Sequence, residues 1–338
     1  MGHRPHTDAA GNQAATDLED ALDRAMSLTR RGALFGGACL CCLPAATRQA
    51  SATPPTAMRL SQEAPGIHIR HGVTQDATAG NDDAIANIGC VIGRDAVAVM
   101  DPGGSLDDGE SLRRAIREIT GLPIRYVVMS HVHPDHVFGA AAFLPEHPIF
   151  VGHARLPQAL ALRGAYYRKM LDRILGPDRA GPVVMPTQLV RDSATLDLGN
   201  RVLDLTAHPP AHTDCDLSVI DRQTGTLLTG DLLFVNRVPS LDGNLNGWLA
   251  QLAAMQSLGS RRAVPGHGPV QVDWPAAAAD ITRYLTVLLT ETRQAIDRNV
   301  PISQAAYTVA QSERSRWQLF DAYNPRNVTV AYQQLEWE

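Results

Sequence analysis

The stretch SHVHPDHVFG, residues 130–139, contains three histidines and an aspartate within six positions. It directly follows the apolar run IRYVVM, which predicts a β-strand. Imidazoles crowded at neighbouring positions repel one another once they are protonated. The cluster therefore predicts a fold in which the end of this strand lies beside a bound metal ion.

The spacing within the cluster indicates two ions rather than one. His131 and His133 are two residues apart in an extended turn and can reach one ion together. Pro134 then redirects the backbone, so Asp135 and His136 are expected to point towards a second ion.

Three further ligand-capable residues also stand at predicted strand ends. His212 follows LDLTAHPPA, Asp231 ends TLLTGD, and His267 ends RAVPGH. Loops at one edge of a sheet lie side by side, so these residues are expected to converge with the cluster. Five imidazoles and two carboxylates fit two sites of about four ligands each if one carboxylate bridges. This donor set favours two zinc ions, with iron or manganese as alternatives.

Histidines outside such a cluster usually lie at the surface or form hydrogen bonds in the interior, and His212 and His267 would be interpreted in that way if they stood alone. The other histidines in the body of the chain are interpreted as ordinary: His68, His71, His147, His153 and His208.

The order of predicted elements favours two packed sheets. Short strand-like runs precede a helix that begins after Ser105, a suitable cap with acidic residues following it. Two halves that each contain strands followed by helices predict an α/β fold built as an αββα sandwich, with the functional groups on loops along one edge. The remaining predicted helices cover about 156–174, 245–258 and 274–298, and two hairpins turn at 199–200 and 223–225.

The N-terminal region is expected to be an export signal. Arg30 and Arg31 precede a moderately apolar run, and Ala50-Ser51-Ala52 has the small-residue spacing of a cleavage site. The Thr-Arg-Arg-x-x-Leu order resembles a twin-arginine signal, which predicts export to the periplasm. A degraded membrane anchor and a lipoprotein signal through Cys39 are the alternatives.

The predicted domain organisation has three parts: a signal region over 1–52, a linker rich in Ser, Thr and Pro over 53–65, and one folded domain over 66–338. No apolar run of membrane-spanning length occurs after residue 50. Removal of the signal leaves Cys90 and Cys215. Cys90 stands in an apolar strand-like run, where a buried free thiol is expected rather than a disulfide.

Charge narrows the expected partners. The chain has 30 basic and 35 acidic residues, a net charge of −5, and no basic stripe. Nucleic acid is therefore not an expected partner. A small molecule with a reactive carbonyl group is the expected substrate if the metals are catalytic.

The motif SHVHPDH resembles the signature of the metallo-β-lactamase fold superfamily, and the resemblance covers about residues 66–335. It implies an αββα fold in which Asp231 bridges the two metals and Asp101, in VMDPGG, braces the cluster. It also implies a first metal site formed by His131, His133 and His212, and a second formed by Asp135, His136 and His267.

With an aspartate at position 231, the chain resembles hydroxyacylglutathione hydrolases and their relatives, which keep an aspartate at this position. True β-lactamases carry cysteine or serine there. Segments such as AHTDCDLSVID and NPRNVTVAYQQLEWE resemble the quinoprotein relay system zinc metallohydrolases, although Cys215 departs from the asparagine or glycine expected there. This resemblance implies a periplasmic enzyme linked to a quinoprotein dehydrogenase pathway.

The expected activity is hydrolysis of an ester, thioester or lactone by metal-bound hydroxide, with Asp135 as ligand and proton acceptor. A β-lactamase-like or lactonase activity and a non-catalytic periplasmic accessory protein are the alternatives. The mouth of the site is expected to be framed by residues from two segments: Asn236, Arg237 and Trp248, and Tyr166, Tyr167 and Arg168.

Overall fold

A computed structural model describes residues 58–338, so the predicted signal region, 1–52, lies outside the described residues. In this part of the chain, thirteen strands form. Their bounds are β1 Ser61–Ala64, β2 Ile67–Arg70, β3 Ile88–Ile92, β4 Val97–Met100, β5 Ile124–Met129, β6 Ile149–His153, β7 Gln188–Val190, β8 Ser193–Asp197, β9 Val202–Ala207, β10 Leu217–Asp221, β11 Thr226–Phe234, β12 Arg262–His267 and β13 Val272–Asp273.

The strands build two mixed sheets. The first sheet has the order β1-β2-β3-β4-β5-β6-β7, antiparallel up to β4 and parallel from β4 onward. The second has the order β13-β12-β11-β10-β9-β8 and is antiparallel except for the parallel pair β11–β12. Both predicted hairpins are present, as β8–β9 and β10–β11.

Helices occupy the connections. The α-helices are α1 Leu106–Ile119, α2 Pro134–Val137, α3 Leu156–Leu175, α4 Leu245–Gln256, α5 Ala278–Asp297, α6 Ile302–Thr308 and α7 Phe320–Leu335, with 3₁₀ helices at Phe138–Glu146 and Gln311–Arg316. The predicted cap of α1 is confirmed, because the Ser105 side chain accepts a hydrogen bond from the Asp108 backbone N–H.

Three apolar clusters define four layers. Side chains such as Val91, Val128, Leu205 and Val219 meet between the sheets. A second cluster packs α1 and α3 against the outer face of the first sheet. A third packs α4, α5 and α7 against the outer face of the second sheet. The predicted αββα sandwich is confirmed.

The boundaries differ from the sequence expectation in two places. Strand β1 lies inside the segment 53–65 that was expected to be a linker, and its main chain pairs with β2. The helix expected from about residue 274 begins only at Ala278, because residues 274–277 form a turn before it. Cys90 and Cys215 are both free and buried, as expected for Cys90. Among the described residues, no helix combines the length and apolarity that a membrane span requires.

Candidate metal centre

The site lies at one rim of the sandwich, where loops leave the central strands of both sheets. The cluster SHVHPDH begins directly after β5 and continues into the short helix α2, with Pro134 at its first position. His212 lies in the loop between β9 and β10, and His267 is the last residue of β12. Both sheets therefore contribute ligand-capable side chains to the same rim.

Asp231 lies within β11 rather than at its end. The expected strand end at this residue is wrong, because β11 continues to Phe234. The pairing of β11 with β12 is irregular on both sides of Gly230, and such a bulge re-aims the side chain that follows it. A Cβ atom on Gly266, in β12, would lie only 1.9 Å from Asp231 Oδ1. A glycine at position 266 is therefore required for the Asp231 carboxylate to occupy this place.

All seven predicted ligands lie together. Two groups have potential ligand atoms within 4.8 Å of one another: His131, His133, His212 and Asp231 in one, and Asp135, His136 and His267 in the other. These are the two sets that the family resemblance implied, and Asp231 contacts both of them.

The spacing within the first group fits a single ion. His133 Nδ1 lies 3.1 Å from His131 Nε2 and 2.9 Å from His212 Nε2. Nitrogen atoms bound tetrahedrally at zinc–nitrogen distances of 2.0–2.1 Å would be about 3.3 Å apart. His133 Nδ1 thus already lies at nearly the spacing from each of the other two nitrogens that a zinc ion requires.

Asp231 has the geometry of a bridge. Its Oδ2 lies 3.4 Å from Nε2 of His212 in the first group and 3.4 Å from Nε2 of His267 in the second. Its Oδ1 lies 3.1 Å from His136 Nε2. Asp135 Oδ2 completes the second group, 3.2 Å from His267 Nε2.

Each of the five imidazoles uses its outer nitrogen on a protein partner and directs the other towards the centre. His136 Nδ1–H donates to Asp101 Oδ2 at 2.8 Å, and His133 Nε2–H donates to Asp242 Oδ2 at 3.2 Å. The same pattern holds for the other three, whose Nδ1–H groups bond at 2.6–3.0 Å: His131 to Ser130 Oγ, His212 to the Ser240 carbonyl and His267 to the Ile85 carbonyl. This pattern fixes the tautomers that metal ligation needs.

Two of the inward-facing atoms lack a hydrogen-bond partner. His136 Nε2 and Asp231 Oδ1 are buried and form no hydrogen bond that satisfies normal geometry. Buried polar groups are almost always hydrogen-bonded, so unpartnered atoms at one point indicate a missing ligand. The donor set and its spacing therefore fit divalent metal ions.

The pKa shifts of most of these groups favour the protonation states that bind a cation. Burial lowers the pKa of His212 to about 3 and that of His131 well below its usual value, so both imidazoles are neutral at physiological pH. Burial alone would raise the pKa of Asp231 and Asp135, but neighbouring histidines hold both well below the usual value. Burial alone would lower the pKa of His136, but Asp231, Asp135 and Asp101 raise it well above normal. The centre thus has an electric field that attracts positive charge.

A cavity of about 490 Å³ opens over the centre. Asp135, His133, Asp231 and His267 form part of its lining. Tyr166 and Tyr167 of α3 also line it, together with Arg237, as the sequence predicted. The walls further include side chains not predicted from the sequence: Asp76, Asp83, Met170, Ile174, Tyr323 and Arg326.

Three residues expected at the mouth do not line the cavity. Trp248 is fully buried in the core, and its indole N–H donates to the Leu232 carbonyl. Arg168 projects from α3 near Asp172, 4.0 Å away. Asn236 takes a left-handed turn with φ of 65°. Cys215 is buried beside Thr213, and burial raises the pKa of its thiol, as is typical of an inert, packed cysteine.

Asp242 and Arg163 were not predicted from the sequence, but both lie behind the candidate ligand His133. Arg163 of α3 forms an ion pair with Asp242, which in turn accepts the hydrogen bond from His133. Neither was assigned a role from the sequence, because only the tertiary structure brings them to His133. His208, interpreted as ordinary, bonds to Ser218 and Gln251 instead of the centre.

Sequence comparisons identify distant curated relatives. A curated linear primary-alkylsulfatase from Pseudomonas sp. (strain ATCC 19151) is 23% identical over 212 residues, which are 52% of this chain and 40% of the relative. The beta-lactamase-like protein 2 homolog of Caenorhabditis elegans is 25% identical over 160 residues, 47% of this chain and 48% of the relative. The chain thus spans less than half the length of these curated relatives.

Solved structures share the fold. A metallo-beta-lactamase from Pontibacter korlensis matches with a TM-score of 0.55 and 17% identity over 68% of this chain and 99% of its own. A stereoselective inverting sec-alkylsulfatase from Pseudomonas sp. matches with a TM-score of 0.64 and 13% identity over 82% of this chain and 50% of its own. The family model for the metallo-beta-lactamase superfamily matches residues 82–267, which contain all seven predicted ligands. The chain therefore belongs to the metallo-beta-lactamase superfamily.

Proposed function

We propose that the protein is a binuclear zinc hydrolase that cleaves an ester, thioester or lactone of a small molecule. The observation that carries this proposal is the set of five inward-facing imidazole nitrogens, fixed by outer hydrogen bonds, around the shared carboxylate of Asp231. His131, His133, His212 and Asp231 would hold one ion, and Asp135, His136 and His267 with Asp231 the other. When bound, two such ions lower the pKa of water towards about 7 and polarise a carbonyl oxygen.

Asp135 is the proposed proton acceptor. It is ionised, because the neighbouring His136 and His267 outweigh burial and hold its pKa well below the usual value. It also lines the cavity, so its carboxylate can meet a proton from water or substrate. A strongly acidic carboxyl group does not retain a proton, and Asp135 would therefore relay it to the leaving group or solvent.

Metal analysis and activity assays test this proposal. Purified protein should contain about two equivalents of zinc per chain by elemental analysis and hydrolyse aryl esters or lactones. A chelator should abolish the activity, and addition of zinc, iron or manganese afterwards would identify the effective metal. Asp135→Asn and His133→Ala should lose activity, whereas His71→Ala, at an exposed histidine outside the site, should retain it. Full activity in metal-free protein would contradict the proposal.

Sulfate-ester hydrolysis is a second candidate. The sequence similarity to a linear primary-alkylsulfatase and the structural similarity to a sec-alkylsulfatase favour it. Release of inorganic sulfate from medium-chain alkyl sulfates, measured beside acyl-ester hydrolysis, separates the two activities. Nitrocefin and an acyl-homoserine lactone added to the same assays test the β-lactamase-like and lactonase alternatives.

We further propose export by the twin-arginine route to the periplasm and a role beside a quinoprotein dehydrogenase. The sequence of residues 26–52 supports the export route. Cell fractionation of the full chain and of a variant with Arg30→Lys and Arg31→Lys tests it, since the variant should stay in the cytoplasm. A non-catalytic accessory role would be indicated if binding to a quinoprotein partner survived His133→Ala while no hydrolysis was found in the parent protein.

A further inference from the structure

Three arginines are buried among the described residues, and one of them differs from the other two. Arg70 donates two hydrogen bonds to Asp108, at 2.7 and 3.0 Å. Arg201 donates two hydrogen bonds to Asp221, at 2.8 and 2.9 Å. Arg237 is equally buried, at 5% exposure, but pairs with no carboxylate of residues 58–338.

The protein offers Arg237 few partners. Its Nη2 donates to the Tyr323 hydroxyl at 2.9 Å, and its guanidinium lies 5.2 Å from the centre of the same ring. Its Nε is buried without a partner. A buried guanidinium normally requires a carboxylate, since a cation–π contact offsets only about 0.5–2 kcal/mol.

Metal binding would remove one more partner. Arg237 Nη1 lies 3.2 Å from His267 Nδ1, which also lies 3.0 Å from the Ile85 carbonyl. If His267 binds metal through Nε2, its Nδ1 carries the proton and donates it to Ile85. Arg237 Nη1 then has no acceptor there, although the residue lines the cavity over the centre.

We propose that Arg237 is the receptor for a carboxylate group of the substrate that is not itself cleaved. The guanidinium contacts the outer nitrogen of His267, so one imidazole ring separates it from the atoms that face the metals. In this proposal, the anionic group bound at Arg237 belongs to the same substrate molecule as the bond that is cleaved at the centre. Arg326, exposed at the same cavity and likewise without a carboxylate partner among residues 58–338, is the second cation of a lining that also contains the carboxylates of Asp76, Asp83, Asp135 and Asp231.

The inference rests on the proposed esterase function and specifies its substrate class. Planar guanidinium groups bind carboxylates through two parallel hydrogen bonds, and each charged hydrogen bond contributes appreciably to affinity. Tyr166, Tyr167, Met170 and Ile174 of α3 supply an aromatic and apolar wall for the rest of the molecule. The favoured substrate is therefore an acyl ester, thioester or lactone that carries a free carboxylate.

Two esters of equal acyl length test this assignment: 4-nitrophenyl hydrogen succinate, which ends in a carboxylate, and 4-nitrophenyl butyrate, which ends in a methyl group. Wild type should prefer the succinate ester. Arg237→Gln should lower kcat/KM for that ester about 10- to 100-fold, mainly through KM, and change the butyrate ester little. Equal losses on both esters would overturn the proposal, since they would indicate that Arg237 only positions His267.

Binding measurements separate this inference from the proposed function. Succinate should bind the zinc-loaded wild type, by isothermal calorimetry, about 10- to 100-fold more tightly than Arg237→Gln. Equal succinate affinity in the two proteins overturns the inference, even if esters are hydrolysed. If the expected difference in affinity is found but no ester is hydrolysed, only the esterase proposal is overturned.

Two further variants complete the experiment. Arg237→Lys keeps the charge but not the paired donors, so it should bind succinate with an affinity between those of wild type and Arg237→Gln. It replaces Arg237→Gln in the test if that variant does not fold. Unchanged succinate affinity in Arg237→Lys would overturn the proposal. Arg168→Gln, on α3 outside the cavity lining, is the matched control and should leave both esters and succinate binding unchanged.

Discussion

The candidate metal centre and the Arg201–Asp221 pair both bury ionised side chains, but they are completed in different ways. In the pair, two hydrogen bonds join the guanidinium to the carboxylate, Arg201 Nη1 bonds to the Ile92 carbonyl, and Thr224 bonds to Asp221. At the centre, His136 Nε2 and Asp231 Oδ1 lie 3.1 Å apart but form no hydrogen bond of normal geometry. The protein completes the pair by itself and leaves the centre to be completed by an external cation.

The two regions also occupy opposite ends of one strand. Leu217, at the start of β10, bonds through its backbone to Ser130 beside the cluster, whereas Asp221 ends the same strand. The fold thus keeps a self-contained ion pair at one rim and an incomplete set of charges at the other. Stability and function are therefore separable by substitutions at the two ends of β10.

The largest effect is expected from loss of the shared carboxylate. Asp231→Asn should reduce hydrolytic activity at least about a thousandfold, because both sets of ligands lose their common member and the activation of water is lost. Elemental analysis should show less than two equivalents of metal in the same variant. Retention of both metals would show that the two sets do not depend on Asp231.

Breaking the ion pair should instead affect stability alone. Arg201→Met leaves the Asp221 carboxylate buried without its charge partner, and the free energy of unfolding should fall by about 3–5 kcal/mol. Urea unfolding measures this change, and activity per folded molecule should stay at the wild-type level. A double variant, Arg201→Met with Asp221→Leu, should recover most of the loss; failure to do so would mean that packing, not charge, dominates here.

A smaller effect is expected behind the metal ligands. Asp101→Asn weakens the hydrogen bond that orients His136, and such changes usually cost about 10- to 100-fold in metal affinity. Competition with a chromogenic chelator measures the affinity directly. Asp242→Asn tests the same principle at His133. An unchanged metal affinity in both variants would show that these two carboxylates do not contribute to metal binding.

The smallest effect is a dependence on pH. Burial alone would raise the pKa of Asp221, but Arg201 and Thr224 outweigh it and lower the pKa below the ordinary value of 3.8. The ionised pair therefore contributes its full stability above about pH 4 and loses it as the pH falls through the lowered pKa. The stability gap between wild type and Asp221→Asn, both freed of metal, should be constant from pH 7 to about 4 and narrow below that. A gap that narrows already near pH 6 would contradict the lowered pKa.

The sequence was most informative where chemistry is concentrated locally. The cluster from His131 to His136 predicted two ligand sets because its spacing and its proline act within one turn, and the structure brings these sets together. The layered fold followed from the order of strands and helices, and the three apolar clusters agree with it.

The hydrogen-bond acceptors that orient the histidines could not be predicted, because they are brought to the centre by tertiary contacts. The acceptors for His212 and His267 are backbone carbonyls of Ser240 and Ile85, and any residue type can supply a carbonyl. Asp242 reaches His133 across 109 residues. Trp248 was misplaced because an aromatic residue near a predicted site has the same sequence signature in the core as at a mouth, and only packing against Phe234 and His212 distinguishes them.

The close approach of Gly266 to Asp231 has a consequence for how this protein could evolve. Any β-carbon at position 266 would collide with the carboxylate oxygen, so no other amino acid can be introduced there while the aspartate remains in place. A descendant that acquired a side chain at 266 would first need a different residue at 231. The residue types at positions 231 and 266 are therefore expected to depend on each other in evolution, although the two positions lie 35 residues apart in the sequence.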